Sequence, residues 1–112
     1  MAIIIKTEQP NVLLTAIKKA IDDKKIDTWS YDKDGDFTHT PEQWAKQAWL
    51  QPKVYIGELR FGILGRKNIK LDRTIYGVYH GRFIEMLLTH FYKSFTIATA
   101  TAQKTDPDNF TE

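Results

Sequence analysis

Three histidines, a run of aspartates and one histidine-glycine-arginine step are the residues of this chain that could do chemistry. The histidines are His39, His80 and His90, and the aspartates are Asp32, Asp34 and Asp36. No cysteine occurs among the 112 residues, so disulfide and thiolate chemistry are excluded. The aspartates resemble a fragment of a calcium loop. An EF-hand needs its glycine after the third acid and a bidentate glutamate further on, whereas Gly35 precedes Asp36 here. Turn chemistry accounts for the trio without an ion. A zinc site would need the histidines to converge. If a helix starts near Gly81, His80 and His90 stand about 13–15 Å apart along its axis, too far to share a metal. His39 could approach either one. No metal and no cofactor is expected.

Neither Ser30 nor Ser94 lies in a G-x-S-x-G elbow, and no Walker loop or dinucleotide fingerprint is present. The segment Gly62-Ile63-Leu64-Gly65, followed by Arg66 and Lys67, imitates the G-X-X-G loop of a KH module. That loop must join two helices, but these intervening residues are apolar and continue a strand, so the match is rejected. The most site-like step is His80-Gly81-Arg82. Read as a strand–helix junction, it would turn helix N-terminal N–H groups toward solvent, and Arg82 would add a fork of donors for an anion. Tyr79 and Glu85 would complete an acid–base set there. The plainer alternative packs His80 on a Trp or Tyr ring and pairs Arg82 with Glu85 or Asp72.

These residues must be placed by a small set of elements. Ala2–Lys6 is a β-branched apolar run, expected as a central strand. Pro10 suits the first turn of a helix, and Leu13, Ala16, Ile17, Ala20 and Ile21 recur at helical spacing to about Lys24. Two short strands, 26–31 and 37–40, flank Asp32-Lys33-Asp34-Gly35-Asp36. A three-residue loop with Gly35 in the left-handed conformation pairs Tyr31 with Phe37 and Trp29 with His39, which builds one aromatic face. Thr40-Pro41-Glu42-Gln43 reads as the start of a short helix to about Leu50, stopped by Pro52. Residues 54–64 alternate as a strand in which Gly57 and Gly62 mark a bulge or a close backbone approach. Residues 74–80 read as a further strand ended by Gly81, 82–93 as an amphipathic helix, and 95–102 as a Thr/Ala-rich strand. Residues 103–112 are polar, contain Pro107, and are expected to fray.

The expected architecture is therefore one α+β domain over residues 1–102, a two-layer sandwich in the order β-α-β-β-short α-β-β-α-β. Its mostly antiparallel sheet has about five or six strands, with the two main helices on one face. The apolar runs are too short to span a membrane, the N-terminus has no signal-peptide pattern, and a cytoplasmic location is the default expectation. Net charge is +2, too small to argue for nucleic acid by itself. Its distribution is uneven. Residues 20–42 hold three lysines and seven acids, a net −4, and residues 60–73 hold five bases and one acid, a net +4. Such separated patches can orient a partner.

The chain has three tryptophans and five tyrosines. Helices on one side of a sheet would leave such rings on the other face, where an apolar body with a polar tip suits recognition. The binding residues expected on this basis are Trp29, Tyr31, Phe37, His39, Tyr55, Arg60, Arg66, Lys67, Tyr79, His80 and Arg82. The leading expectation is a non-enzymatic, protein-binding domain, self-associating through a strand edge or the aromatic face. One alternative is a single-strand nucleic-acid binder that uses Tyr55, Tyr79, Arg60, Arg66 and Lys67. Another is a small enzyme or anion-binding domain at His80-Gly81-Arg82.

Overall fold

The computed structural model describes residues 2–112. Its elements are β1 (Ile3–Lys6), α1 (Pro10–Asp22), β2 (Trp29–Tyr31), β3 (Phe37–His39), β4 (Trp49–Tyr55), β5 (Glu58–Leu64), α2 (Arg73–His90) and β6 (Ile97–Ala100). They form an α+β two-layer sandwich. The six strands make one antiparallel sheet in the order β2-β3-β4-β5-β1-β6. Registers Ile3↔Phe61 and Ile5↔Leu59 set four fully buried side chains on the helix-covered face. The alternate positions, Ile4↔Arg60, Lys6↔Glu58 and Lys53↔Arg60, form the outer face.

Local chemistry explains the boundaries. Pro10 opens α1, where a missing N–H costs nothing. The helix ends in a Schellman motif: Lys24 takes φ 60°, its N–H bonds Ile21 O at 3.0 Å, and Lys25 N–H bonds Ala20 O at 2.9 Å. The β2–β3 hairpin has the expected register, Trp29↔His39 and Tyr31↔Phe37. Gly35 sits at φ 82°, and Asp32 Oδ1 accepts from Asp34 N at 2.9 Å and from Asp36 N at 3.0 Å. The aspartates are thus bound into the turn itself.

Four expectations are corrected. Residues 74–80 are not a strand but the first half of α2. The Asp72 carboxylate caps the helix by accepting from Thr74 N at 2.7 Å, and Tyr76, Tyr79, His80, Phe83, Met86 and Leu87 form its buried stripe. The short helix after Thr40 is only a turn: Trp44 and Ala45 N–H both bond Pro41 O, and Lys46 at φ 58° ends the coil. Pro52, expected to stop that helix, instead lies inside β4: β3 pairs only at Leu50, leaving β4 an open edge where a residue without N–H is tolerated. Gly57, at φ 76°, turns the β4–β5 hairpin rather than bulging a strand.

The fourth correction concerns the C-terminus, which does not fray. Asn109 bridges Leu64 and Thr111 bridges Lys70 in parallel, and Phe110 is only 8% exposed beside the Tyr76 ring. Residues 106–108 cross the outer face above Gly62. The Asp108 carboxylate accepts from Ile63 N at 2.7 Å and from Thr105 N at 2.9 Å.

Candidate functional site

Most of the expected binding aromatics complete the core instead of facing out. Trp29, Phe37 and Tyr79 are buried, and Phe83 of α2 lies among Trp29, Phe37 and Phe61 with ring centroids 4.9, 6.0 and 4.5 Å away. Tyr31 is half-buried, and its hydroxyl donates to the Asp22 carboxylate at 2.7 Å. His80 is 3% exposed inside α2, stacked 4.3 Å from Tyr76, with Nδ1 2.7 Å from Tyr76 O. No strand–helix junction exists at Gly81, so the backbone N–H groups there belong to the helix ladder. The anion site expected at His80-Gly81-Arg82 is therefore not formed. The plainer reading of those residues holds, with Arg82 paired to Glu85 at 3.3 Å.

On the outer face, Tyr55 is the one candidate aromatic, and its partners are already chosen. The Arg60 guanidinium lies 4.7 Å from its ring centroid, and its hydroxyl donates to the Asp106 carboxylate. Arg60 also bonds Glu58 at 2.5 Å and Asp106 O at 3.1 Å. The hydrogen bond from Tyr55, with Lys53 nearby, holds the Asp106 carboxyl below the usual carboxylate range. Arg66 and Lys67 lie in the loop after β5, away from Tyr79. The five residues of the nucleic-acid reading are thus split between a buried helix position, a self-satisfied network and a loop. The charges of the acidic and basic segments are not paired with each other: among the described residues, no ion pair links 20–42 to 60–73.

The structure does bring His39 and Arg82 together, in a cleft of about 460 Å³. Three elements wall it. The β2–β3 hairpin contributes Thr28 and His39. The turn that follows contributes Pro41, Gln43 and Trp44. Helix α2 contributes Arg82, Glu85, Met86, Thr89 and His90. The walls are tied to one another, because the Tyr79 hydroxyl donates to Trp44 O and lies 3.0 Å from Thr38 Oγ1. Thr38 Oγ1 in turn accepts from Lys46 N at 3.1 Å. Seven of the lining residues (Thr28, Pro41, Gln43, Trp44, Met86, Thr89 and His90) were not anticipated as a group. The Thr-Pro step after the hairpin marked the turn, but not which helix face it would meet.

His39 is the chemical centre of this cleft. It is 5% exposed and packs 4.5 Å from the Trp29 ring. Its Nδ1 lies 2.7 Å from Thr28 O. A carbonyl can only accept, so Nδ1 carries the proton and Nε2 keeps a free lone pair on the opposite side of the ring. Burial pushes the imidazole below its ordinary range. The Thr28 bond acts the other way, Arg82 lowers it further and Glu85 opposes.

Because folding lowers this pKa, the native state binds fewer protons than the unfolded chain. The stability involved is present above the ordinary imidazole value and is lost as pH falls through the native one. An NMR titration of the His39 ring should give a midpoint below that of a free imidazole. A midpoint at or above that value would refute burial as the controlling influence.

Two other features are weaker. The carboxylates of Asp32, Asp34 and Asp36 come within 4.8 Å of one another, and burial followed by its two acidic neighbours raises Asp36. The hairpin turn already explains that crowding. A second hollow, of about 370 Å³, lies between the start of α1 and residues 93–96. Thr7, on its wall, donates to Ser94 O at 2.8 Å. Among the described residues, no helix is long and apolar enough to cross a membrane. Comparison with protein-family models, with curated proteins and with solved structures finds no match.

Proposed function

We propose that this chain is a non-enzymatic protein-binding domain that accepts a further β-strand along β6, and that the strand comes from a second copy. The observation that carries this reading is the contrast between the two ends of the sheet. The β2 end is three residues long and flanked by Asp27 and Asp32. The β6 end lies in Phe95–Ala102, eight residues without a charge or a proline. Sheet edges are normally guarded by lysine, proline or a bulge, because their unpaired N–H and C=O groups template association.

The ladder fixes which groups are on offer. Thr101 N–H bonds Ala2 O at 2.9 Å, so residues 97, 99 and 101 are the ones bonded to β1. The N–H and C=O groups of Ala98 and Ala100 point to the open edge. Ile97, 56% exposed on the outer face, adds apolar surface beside them. A two-fold antiparallel pair of β6 strands sets alanine, threonine and isoleucine against one another with no like charges opposed. This favours a second copy over a charged peptide.

The test is sedimentation equilibrium over a range of protein concentrations. A dimer is expected, and Ala98→Pro should abolish it by removing an edge donor that β1 does not use. Thr99→Lys should weaken it through charge repulsion. A chain that stays monomeric at every concentration, or a dimer indifferent to both substitutions, overturns the reading.

A further inference from the structure

The geometry points to a second function at the other end of the molecule: the His39 cleft binds a small, uncharged, hydroxyl-rich ring, that is, a neutral sugar. The volume of about 460 Å³ is in the range of small-molecule sites. The case for this ligand class rests on three features of the walls.

The first is charge. Arg82 and Glu85 stand one helical turn apart at 3.3 Å and cancel, and burial at 5% exposure favours the neutral imidazole of His39 over the charged one. A fully charged ligand would meet a like charge beside every opposite one. The second is the mixture of donors and acceptors. The free Nε2 of His39 and the Glu85 carboxylate accept, Arg82 donates, and Gln43 does both. Thr89 donates its own proton to Glu85 O at 2.8 Å, which leaves its lone pairs available. A hydroxyl group both gives and takes a hydrogen bond, so a ring bearing several of them answers this array.

The third feature is the apolar side. Trp44 is half-buried next to Pro41, and an indole face accommodates the C–H face of a saturated ring while its N–H stays available for a bond. The site is also prepared before any ligand arrives. His39 is fixed by Thr28 and Trp29, and the backbone at Trp44 is fixed by Tyr79. Little ordering is left to oppose binding.

The experiment titrates the full chain with glucose, galactose, N-acetylglucosamine and maltose while following the His39 ring nitrogens and the Trp44 indole N–H by NMR. At least one sugar should shift both sets of signals saturably. Glu85→Gln, which takes away the charge that strengthens a hydrogen bond, and Arg82→Ala, which removes a charged donor, are both at exposed positions and should each weaken that sugar about tenfold while leaving the melting temperature unchanged. His39→Gln tests the acceptor directly, and the two exposed variants keep the test decisive if that one fails to fold. The proposal is overturned if no sugar gives a saturable shift, if both exposed variants bind as the parent does, or if glucose 6-phosphate binds more tightly than glucose. Sedimentation of the same Glu85→Gln protein separates this outcome from that of the β6 edge, which lies at the end of the sheet opposite the β2–β3 hairpin.

Discussion

Gly62→Ala is expected to lift the C-terminal segment off the sheet. A Cβ at that position would stand 2.4 Å from Pro107 C, 2.6 Å from Asp108 N and 2.7 Å from Pro107 O, all of them backbone atoms that no side-chain rotation can move aside. Overpacking of this kind typically costs about 1–3 kcal/mol. Here the segment must also give up the bond from Ile63 N to Asp108 and the cover that Phe110 provides. The expected result is a loss of about 3 kcal/mol in denaturant unfolding, with new protease cleavage between residues 103 and 112. Gly77→Ala is the matched control. Its Cβ meets nothing within 4 Å, and an alanine inside α2 should be neutral or stabilising by about 0.5–1 kcal/mol. Parental stability and an uncut tail in Gly62→Ala would show that the segment does not bear on Gly62.

Phe83→Ala should have the largest effect of any single substitution in α2. The ring is fully buried and is the meeting point of β2, β3 and β5 through Trp29, Phe37 and Phe61. Truncating a buried phenylalanine costs about 3–5 kcal/mol, from lost transfer energy together with the cavity left behind. Because Trp29 also supports His39, the variant should lose the constrained environment of that imidazole even where it remains folded. The check is chemical denaturation followed by the His39 ring signals. A loss under about 1 kcal/mol would mean the neighbours collapse into the gap, contrary to a tightly packed cluster.

What the sequence made legible was the part governed by local rules. Pro10 with the Leu13/Ile17 spacing marked α1, and the Asp-Gly turn set the hairpin register that pairs Trp29 with His39. Residues 74–80 misled because Ile75, Val78 and their tyrosines are strong β-formers that alternate, while Gly77 and Gly81 look like terminators. The helix wins because Tyr76, Tyr79, His80, Phe83 and Leu87 align on one face only when wound at 3.6 residues per turn, and Asp72 caps that start. Tertiary packing overrode strand propensity. The same error hid the site. With His80 assigned to a strand end, Arg82 seemed to open a helix, when it lies midway along one and looks across at Trp44. The tail escaped for a different reason. Its anchoring depends on backbone bonds to β5 and on a glycine-sized gap, and neither leaves a periodic trace in the composition.

The sheet order has a consequence for biosynthesis. β1 is threaded between β5 and β6, so it is flanked by two strands that are translated well after it. During elongation, Ile3-Ile4-Ile5 leaves the ribosome with no neighbour to pair with, and one side stays open until residues 97–100 have emerged. Closing such distant segments is slow, and an unpaired isoleucine run is adhesive in the meantime. The edge of β1 that β6 covers thus stays unpaired for as long as residues 97–100 are missing.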